Sequence, residues 1–171
     1  IVYKFEALRK RPFVAKAGAS MEEQPASLAV DGISQPPSTW ITGFAPLPVE
    51  IIVDLGDNYV VSKIIINSLV EGGKSFAPNI VEVYTSDVGD KDSDFIKITK
   101  FSGFADHNTE IPLVTMPTFR WVKLLITEGK QANTIGINEI KFYDESGTQI
   151  ISYYRQEETL SLIHISEPTR P

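Results

Sequence analysis

The stretch VEIIVDLGDNYVVSKIIIN, residues 49–67, carries the clearest structural signal in the sequence. VEIIVDL (49–55) and YVVSKIIIN (59–67) are rich in β-branched residues, and the turn residues Gly56-Asp57-Asn58 separate them. Two such runs around a short turn are typical of β-strands joined by a tight connection. We therefore predict that the two runs form adjacent strands.

Further β-type runs follow along the chain at short intervals. They are IVEVYTS (80–86), FIKITK (95–100), FRWVKLLIT (119–127), GINEIKFYD (136–144) and QIISYY (149–154). In the first of these, Val81, Val83 and Thr85 alternate with more polar positions, as expected for a strand with one buried face. No stretch keeps a helical apolar period over three turns. Seven or eight short strands without long helices predict an all-β sandwich or barrel.

Composition excludes several classes of function. The chain has 171 residues, enough for one domain with a sizeable core, and its net charge is −6 with a pI near 4.9. This acidic balance argues against a nucleic-acid partner, because phosphates require a basic surface. The absence of cysteine removes thiol nucleophiles, disulfides and thiolate zinc sites. No apolar run approaches the length of a membrane span.

The two ends of the sequence differ from its body. We interpret residues 1–12 as a linker or the end of an upstream region, 13–150 as the domain, and 151–159 as a terminal strand or linker. LSLIHISEPTRP (160–171) resembles a translated sequencing adapter; the alternative is a real amphipathic tail. The chain starts at Ile1 without a signal-like segment. We expect a piece of a longer exported protein, located extracellularly, at the cell surface or in the periplasm, with its signal outside this piece.

The order of several motifs resembles the discoidin, or coagulation factor 5/8 type C, family. The motifs are ASLAVDG followed by Trp40, then IIVDLG, YVVSKIII, FAPNIVEVYTSDVG, FRWVKLLITEG and INEIKFYDESG, and they span about residues 14–147. The bacterial relatives of this family are the family 32 carbohydrate-binding modules. The resemblance implies a galactose-binding-like, jelly-roll β-sandwich of about eight antiparallel strands.

The resemblance also implies a structural calcium ion where the Asp-Gly loop meets the last strand. Its oxygen ligands would come from Asp31, Ser38 and Glu139, with carbonyl oxygens from Ile33 and Asn138. The loop is longer than in the family, and Ile33 stands where the family often has Asp or Asn. The alternative is that Asp31 only makes an Asx turn and that Glu139 pairs with a lysine.

A glycan-binding site on the loops at one end of the sandwich is a further implication. Such sites combine an aromatic face with a few polar groups. The candidate ligand-binding residues are Phe44, Lys74, Phe76, Phe104, His107 and Arg120. For Phe76 the alternative is packing under its loop, for His107 a solvated position, and for Arg120 a packing role. Galactose binders of the family often place His directly after the Trp, whereas Ile41 follows Trp40 here, which argues against galactose.

Motifs of enzymes are absent from the sequence, which has no G-x-S-x-G, P-loop or H-E-x-x-H. Asp90, Asp92 and Asp94 imitate a calcium loop, but Phe95 and Phe101 stand where an EF-hand needs Gly and Glu, which indicates a solvated turn.

We therefore expect a monomeric, non-catalytic module that tethers a larger extracellular protein, such as a glycan-active enzyme, to glycans. The alternatives are a cell-adhesion, protein-binding or lipid-surface module, for which membrane insertion is not expected, and a structural spacer.

Overall fold

The computed structural model describes residues 8–10, 13–151 and 153–155 of the chain. They form strands and two short 3-10 helices, Ala26–Val30 and Asp92–Asp94. The strands are β1 (Leu8–Lys10), β2 (Val14–Ala17), β3 (Trp40–Ile41), β4 (Val49–Val60), β5 (Lys63–Ser68), β6 (Val70–Glu71), β7 (Lys74–Ser75), β8 (Pro78–Ser86), β9 (Ile96–Ser102), β10 (Asn108–Pro112), β11 (Thr118–Gly129), β12 (Gly136–Tyr143) and β13 (Tyr153–Arg155). No helix of the described residues is long and apolar enough to cross a membrane.

Two antiparallel sheets form the sandwich between Phe13 and Ile150. The five-stranded sheet has the order β2-β4-β11-β8-β9, and the four-stranded sheet has the order β10-β5-β12-β3. β6 and β7 form a separate small hairpin. This architecture confirms the predicted all-β sandwich, because each sheet buries one apolar face against the other.

The hydrophobic core lies between the two sheets. Ile51, Val53 and Leu55 of β4 are fully buried, as are Ile64 and Ile66 of β5 in the opposite sheet. The largest aromatic side chains of the core are those of Trp40, Phe119 and Phe142. Alternating side chains in strands point to opposite faces, so the apolar period of two in the sequence becomes this core directly.

The predicted pairing of residues 49–55 with 59–67 is wrong. β4 continues from Val49 to Val60, and β5 belongs to the other sheet, where it pairs with β10 and β12. Gly56, with a φ of 86°, lies inside β4 where its register with β11 shifts, and its nitrogen donates to Asp54 Oδ1 at 2.8 Å. The turn residues therefore form a bulge within one strand, and the chain changes sheets between Val60 and Lys63.

The strand predictions on the C-terminal half of the domain are confirmed. IVEVYTS lies in β8, FRWVKLLIT in β11 and GINEIKFY in β12. Most of FIKITK lies in β9, the outermost strand of its sheet.

A second, separate unit contains the described residues outside the sandwich. In it β1 pairs antiparallel with β13, and Leu8 lies opposite Arg155. The run QIISYY (149–154), predicted as one strand, does not form a single strand. Ile150 donates its backbone N–H to Phe142 O of the sandwich at 2.8 Å, whereas Tyr153 begins β13 of the second unit. The adapter-like residues 160–171 lie outside the described residues.

The strand registers bring three loops to one end of the sandwich. Val49 pairs with Ile126, and Pro78 pairs with Gly129, so the start of β4, the start of β8 and the end of β11 coincide. The end of β5 meets the start of β12 at the same end. The loops that meet there are 42–48, 69–77 and 130–135.

Candidate functional site

A cavity of about 560 Å³ lies among these three loops. Its lining is mostly apolar, with a few polar side chains, which is the composition of small-molecule binding sites. The lining residues are Met21, Ile41, Gly43, Phe44, Leu69, Glu71, Lys74, Phe76, Gln131, Ala132, Asn133 and Thr134.

The hairpin of β6 and β7 forms one wall of the cavity. Gly72 and Gly73 both have positive φ values, 61° and 75°, as a two-residue hairpin turn requires. The register pairs Glu71 with Lys74, so one carboxylate and one ammonium group reach the cavity from the same hairpin.

Close backbone contacts fix the base of this hairpin to β12. Leu69 N–H donates to Gly136 O at 2.9 Å, and Gly136 N–H donates to Phe76 O at 2.9 Å. A Cβ atom on Gly136 would lie 2.9 Å from Leu69 Cβ and 3.3 Å from Phe76 Cβ. The sequence therefore needs glycine at 136 because the hairpin packs directly against this backbone.

The opposite wall is the loop that carries Phe44. Thr42 N–H donates to Ile135 O at 3.0 Å, and Thr42 Oγ1 accepts a hydrogen bond from Ile135 N–H at 3.0 Å. Ala45 N–H donates to Asn133 O at 3.0 Å. These bonds hold the loop on both sides of Phe44, whose side chain is 96% exposed.

Four of the five polar side chains of the cavity have no partner among the described residues. The side chains of Glu71, Lys74, Asn133 and Thr134 make no hydrogen bond or ion pair with another described residue. Gln131 differs, because its Nε2 donates to Ser75 O at 3.0 Å and fixes the loop to the hairpin.

Three of the predicted ligand-binding residues lie together in this cavity: Phe44, Lys74 and Phe76. His107 lies outside the lining, where its Nδ1 is 3.0 Å from Ser68 O and its Nε2 is 3.4 Å from Asn67 Nδ2. The residue is exposed, as the solvated alternative expects, and its imidazole ring also contacts the end of β5.

Phe104 and Arg120 do not belong to the cavity. Phe104 is 3% exposed and packs edge-on against Phe101 in the core. Arg120 lies at the start of β11, whereas the cavity loop follows the end of that strand. Its guanidinium group binds both carboxylate oxygens of Asp54, at 2.8 and 3.1 Å, and lies 4.5 Å from the centre of the Trp121 ring. The hydrogen bond to Asp54 raises the pKa of Arg120 further.

Sequence reasoning missed more than half of the lining. No sequence motif marked Met21, Leu69, Glu71 or the segment 131–134 as part of a site. One signal was available, since Gly72-Gly73 between short polar and β-branched residues indicates a hairpin turn. That signal would have located Glu71 opposite Lys74.

The predicted metal loop follows the 3-10 helix Ala26–Val30. Asp31 Oδ1 accepts a hydrogen bond from Ile33 N–H at 2.9 Å, which is the Asx turn of the alternative interpretation, and its Oδ2 contacts Ser38 Oγ. Gly32 N–H lies 3.2 Å from both carboxylate oxygens of Glu139. The side-chain oxygen atoms of Asp31, Ser38 and Glu139 thus lie close together around the Asp31-Gly32 turn.

Glu139 is 4% exposed, and its burial raises its pKa to about 8. The hydrogen bond from Gly32 opposes this shift, and the nearby negative charge of Asp31 adds to it. No lysine forms an ion pair with Glu139 within the described part of the chain, which contradicts that half of the alternative.

Asn138 and Ile33 take different positions from the other predicted ligands. The Asn138 amide is buried: its Oδ1 accepts from Thr39 Oγ1 at 2.5 Å, and its Nδ2 donates to Asn67 Oδ1 at 2.8 Å. Its side-chain amide is therefore already hydrogen-bonded within the protein. Only its backbone carbonyl oxygen is left as a ligand for the predicted metal ion. The side chain of Ile33 is 49% exposed. No cluster of three or more acidic, His or Cys side chains suited to a metal occurs among the described residues.

Comparison with known proteins identifies the fold. No protein-family model matches the sequence, and no curated protein matches it. Among solved structures, the chain is similar to the family 32 carbohydrate-binding module of Clostridium perfringens NanJ in complex with galactose. The identity is 19%, the TM-score 0.66, and the match covers 76% of this chain and 92% of the other.

Two further structures extend this similarity. One is the module CpGH89CBM32-5 of Clostridium perfringens in complex with GalNAc-β-1,3-galactose, with 21% identity, a TM-score of 0.65, and coverage of 75% of this chain and 92% of that one. The other is chitosan-binding module 2 of a chitosanase/glucanase from Paenibacillus sp. IK-5 in complex with chitotriose, with 16% identity, a TM-score of 0.63, and coverage of 77% and 95%. The sandwich of this chain has the galactose-binding-like fold of the family 32 carbohydrate-binding modules.

Proposed function

We propose that this protein is a non-catalytic carbohydrate-binding module and that its binding site is the cavity among loops 42–48, 69–77 and 130–135. The observation that carries the proposal is that one cavity combines apolar walls with polar side chains that have no partner in the described part of the chain. The fold supports it, since structures with this fold are described in complex with galactose, GalNAc-β-1,3-galactose and chitotriose.

The chemistry of the lining suits a sugar. Phe76, which is half-buried, offers apolar surface to the C–H face of a pyranose ring, and the buried Leu69 packs beside it in the lining. Glu71 accepts hydrogen bonds from hydroxyl groups, Lys74 donates them, and Asn133 can do both. Leu69 and Phe76 stand on backbone bonded to β12, so binding requires little ordering of these walls.

The biological role that follows is a tether. A binding module raises the effective concentration of a linked domain near the ligand. We propose that the module belongs to a larger exported protein, such as a glycan-active enzyme, and acts outside the cell, at its surface or in the periplasm.

A structural calcium ion at the Asp31 loop is part of this proposal. The donor set fits, because two carboxylates and a hydroxyl converge and calcium prefers such oxygen ligands. Glu139 is buried beside the negative charge of Asp31 and forms no ion pair with a lysine of residues 8–10, 13–151 or 153–155, so a cation would compensate both charges. Bound calcium would supply positive charge that fixes the loop, with carbonyl oxygens of Ile33 and Asn138 completing the set.

A glycan array with the full chain in calcium-containing buffer tests the binding function. We expect specific glycan signals that fall at least tenfold in Lys74→Ala and Glu71→Gln. The matched control is Lys100→Ala, which changes an exposed lysine of β9 that does not line the cavity and which should bind like the wild type. Circular dichroism and melting temperature establish that each variant is folded.

Other results would contradict the proposal. Folded protein that binds no glycan supports a spacer or a protein-binding module. Equal loss in Lys74→Ala and Lys100→Ala would place the site elsewhere.

A further inference from the structure

Phe44 stands apart from the other apolar residues of the cavity. Its side chain is 96% exposed, whereas Met21 is 47% exposed and Leu69 is 3% exposed. Leu69 and Phe76 lie at the base of the hairpin, where the backbone bonds to Gly136. The cavity therefore has a buried inner part and one aromatic side chain that projects at its rim.

The backbone that carries this ring is anchored by hydrogen bonds, whereas the ring itself is not packed against the protein. Thr42 and Ala45, on either side of Phe44, are hydrogen-bonded to the segment 133–135 at 3.0 Å. Between them, Gly43 has a φ of 74°, which turns the chain outward. An aromatic ring that gains nothing from burial, carried by an anchored backbone beside a cavity, can contact a ligand without a rearrangement of its loop.

The polar groups next to the ring point to the kind of ligand. Asn133, whose backbone binds the Phe44 loop, and Thr134 both line the cavity, and their side chains are unpaired with respect to the described residues. An aromatic face beside amide and hydroxyl groups matches a sugar ring, which presents C–H bonds and hydroxyls together. A net charge of −6, with Glu71 in the cavity, disfavours an anionic lipid surface.

We propose that the site binds an oligosaccharide of at least two units: the terminal unit occupies the inner cavity between Leu69, Phe76, Glu71 and Lys74, and the next unit stacks on the exposed ring of Phe44. This inference rests on the proposed carbohydrate-binding function and adds a second subsite to it. Phe44 then determines preference for chain length, while the inner residues determine which terminal sugar is accepted.

The test compares sugars of different length by isothermal titration calorimetry on the full chain. The probes are galactose and N-acetylgalactosamine against GalNAc-β-1,3-galactose, and glucosamine against chitotriose. For the pair that binds, we expect the longer sugar to bind roughly 3- to 10-fold more tightly, the size of one stacking contact. Phe44→Ala should remove this gain and leave the affinity for the single sugar within about twofold of the wild type.

Two further variants test whether the gain in affinity depends on an aromatic ring at position 44. Phe44→Trp keeps an aromatic face and should preserve or increase the gain with length. Val88→Ala changes a side chain that is 73% exposed in the turn after β8, at the other end of the sandwich, and should leave all affinities unchanged.

The outcomes separate the second subsite from the proposed function. Equal affinities for single and longer sugars, or an equal loss for both in Phe44→Ala, would overturn the subsite and leave the binding module intact. Folded protein that binds none of the probes and no arrayed glycan overturns both. Binding of phosphatidylcholine vesicles that depends on Phe44, without any gain with sugar length, would assign the ring to a lipid surface instead.

Discussion

Both carboxylate oxygens of Glu139 lie 3.2 Å from the backbone nitrogen of Gly32, so the buried start of β12 meets the loop after the first 3-10 helix through one acidic side chain. Asp31 adds a second carboxylate to the same place. Burial and a neighbouring negative charge both disfavour a charged carboxylate, which is then stabilised either by taking up a proton or by binding a cation. Protonation and cation binding give different experimental results.

Calcium should stabilise the protein. On the proposed site, the ion would bind the native loop and not the unfolded chain, so calcium at about 100 times its dissociation constant should add about 2.7 kcal/mol to the free energy of unfolding. Thermal melting with calcium and with a chelator measures this. The increase should disappear in Asp31→Ala and persist in Asp87→Ala, which changes an exposed aspartate. An identical melting temperature with and without chelator would refute the calcium site.

In calcium-free buffer, stability should fall as the pH rises from about 4.5 to about 8. Burial raises the pKa of Glu139 from its ordinary 4.5 to about 8, so across this window the folded protein holds a proton that the unfolded chain has released. The slope is at most about 1.4 kcal/mol per pH unit for a difference of one proton. Denaturant unfolding at several pH values should show this decrease, and Glu139→Gln should lack that contribution. A Glu139→Gln profile parallel to the wild type would show that Glu139 does not titrate in this range.

Arg120→Ala should lower stability and leave glycan binding unchanged. The side chain makes two bonds to Asp54 and stacks on Trp121, but it is 38% exposed, so we expect a loss of about 1 kcal/mol in urea denaturation. Lys16→Ala removes an ion pair with Asp90 whose lysine is 63% exposed and should cost less. Loss of glycan affinity in folded Arg120→Ala would mean that the ligand reaches the opposite end of the sandwich.

Gly136→Ala should disturb the cavity and the fold together. The new methyl group would lie 2.9 Å from Leu69 Cβ, so the hairpin must move away from β12 at a cost of about 1–3 kcal/mol. Gly18→Ala is the matched control, because its nearest neighbour would be 3.8 Å away, an ordinary contact. Thermal melting and glycan titration check both variants. Gly136→Ala with unchanged stability and affinity would show that the hairpin base is not a rigid wall.

The amino-acid sequence was enough to predict the fold class and most of the strands. The alternation in IVEVYTS, with Val81 and Val83 apolar, is a local property of the chain, and it became the buried face of β8 because side chains of a strand alternate between two faces. The order of motifs pointed to the same β-sandwich. The sequence also singled out Phe44, Lys74 and Phe76, which lie in loops that the motifs delimit and which line the same cavity.

The assignment of each strand to a sheet, and the loops that share one end of the sandwich, depend on contacts between segments distant in sequence and were not predictable from local patterns. A turn signal such as Gly56-Asp57-Asn58 shows that the backbone bends, but it does not show whether the chain reverses or bulges, since that depends on the partner strand. The cavity brings together Met21, Glu71 and the segment 131–134, which are distant in sequence. Arg120 and the cavity loop belong to opposite ends of one strand, β11. Local patterns fix which residues are buried, whereas the registers between strands fix which loops share an end of the sandwich and therefore form the site.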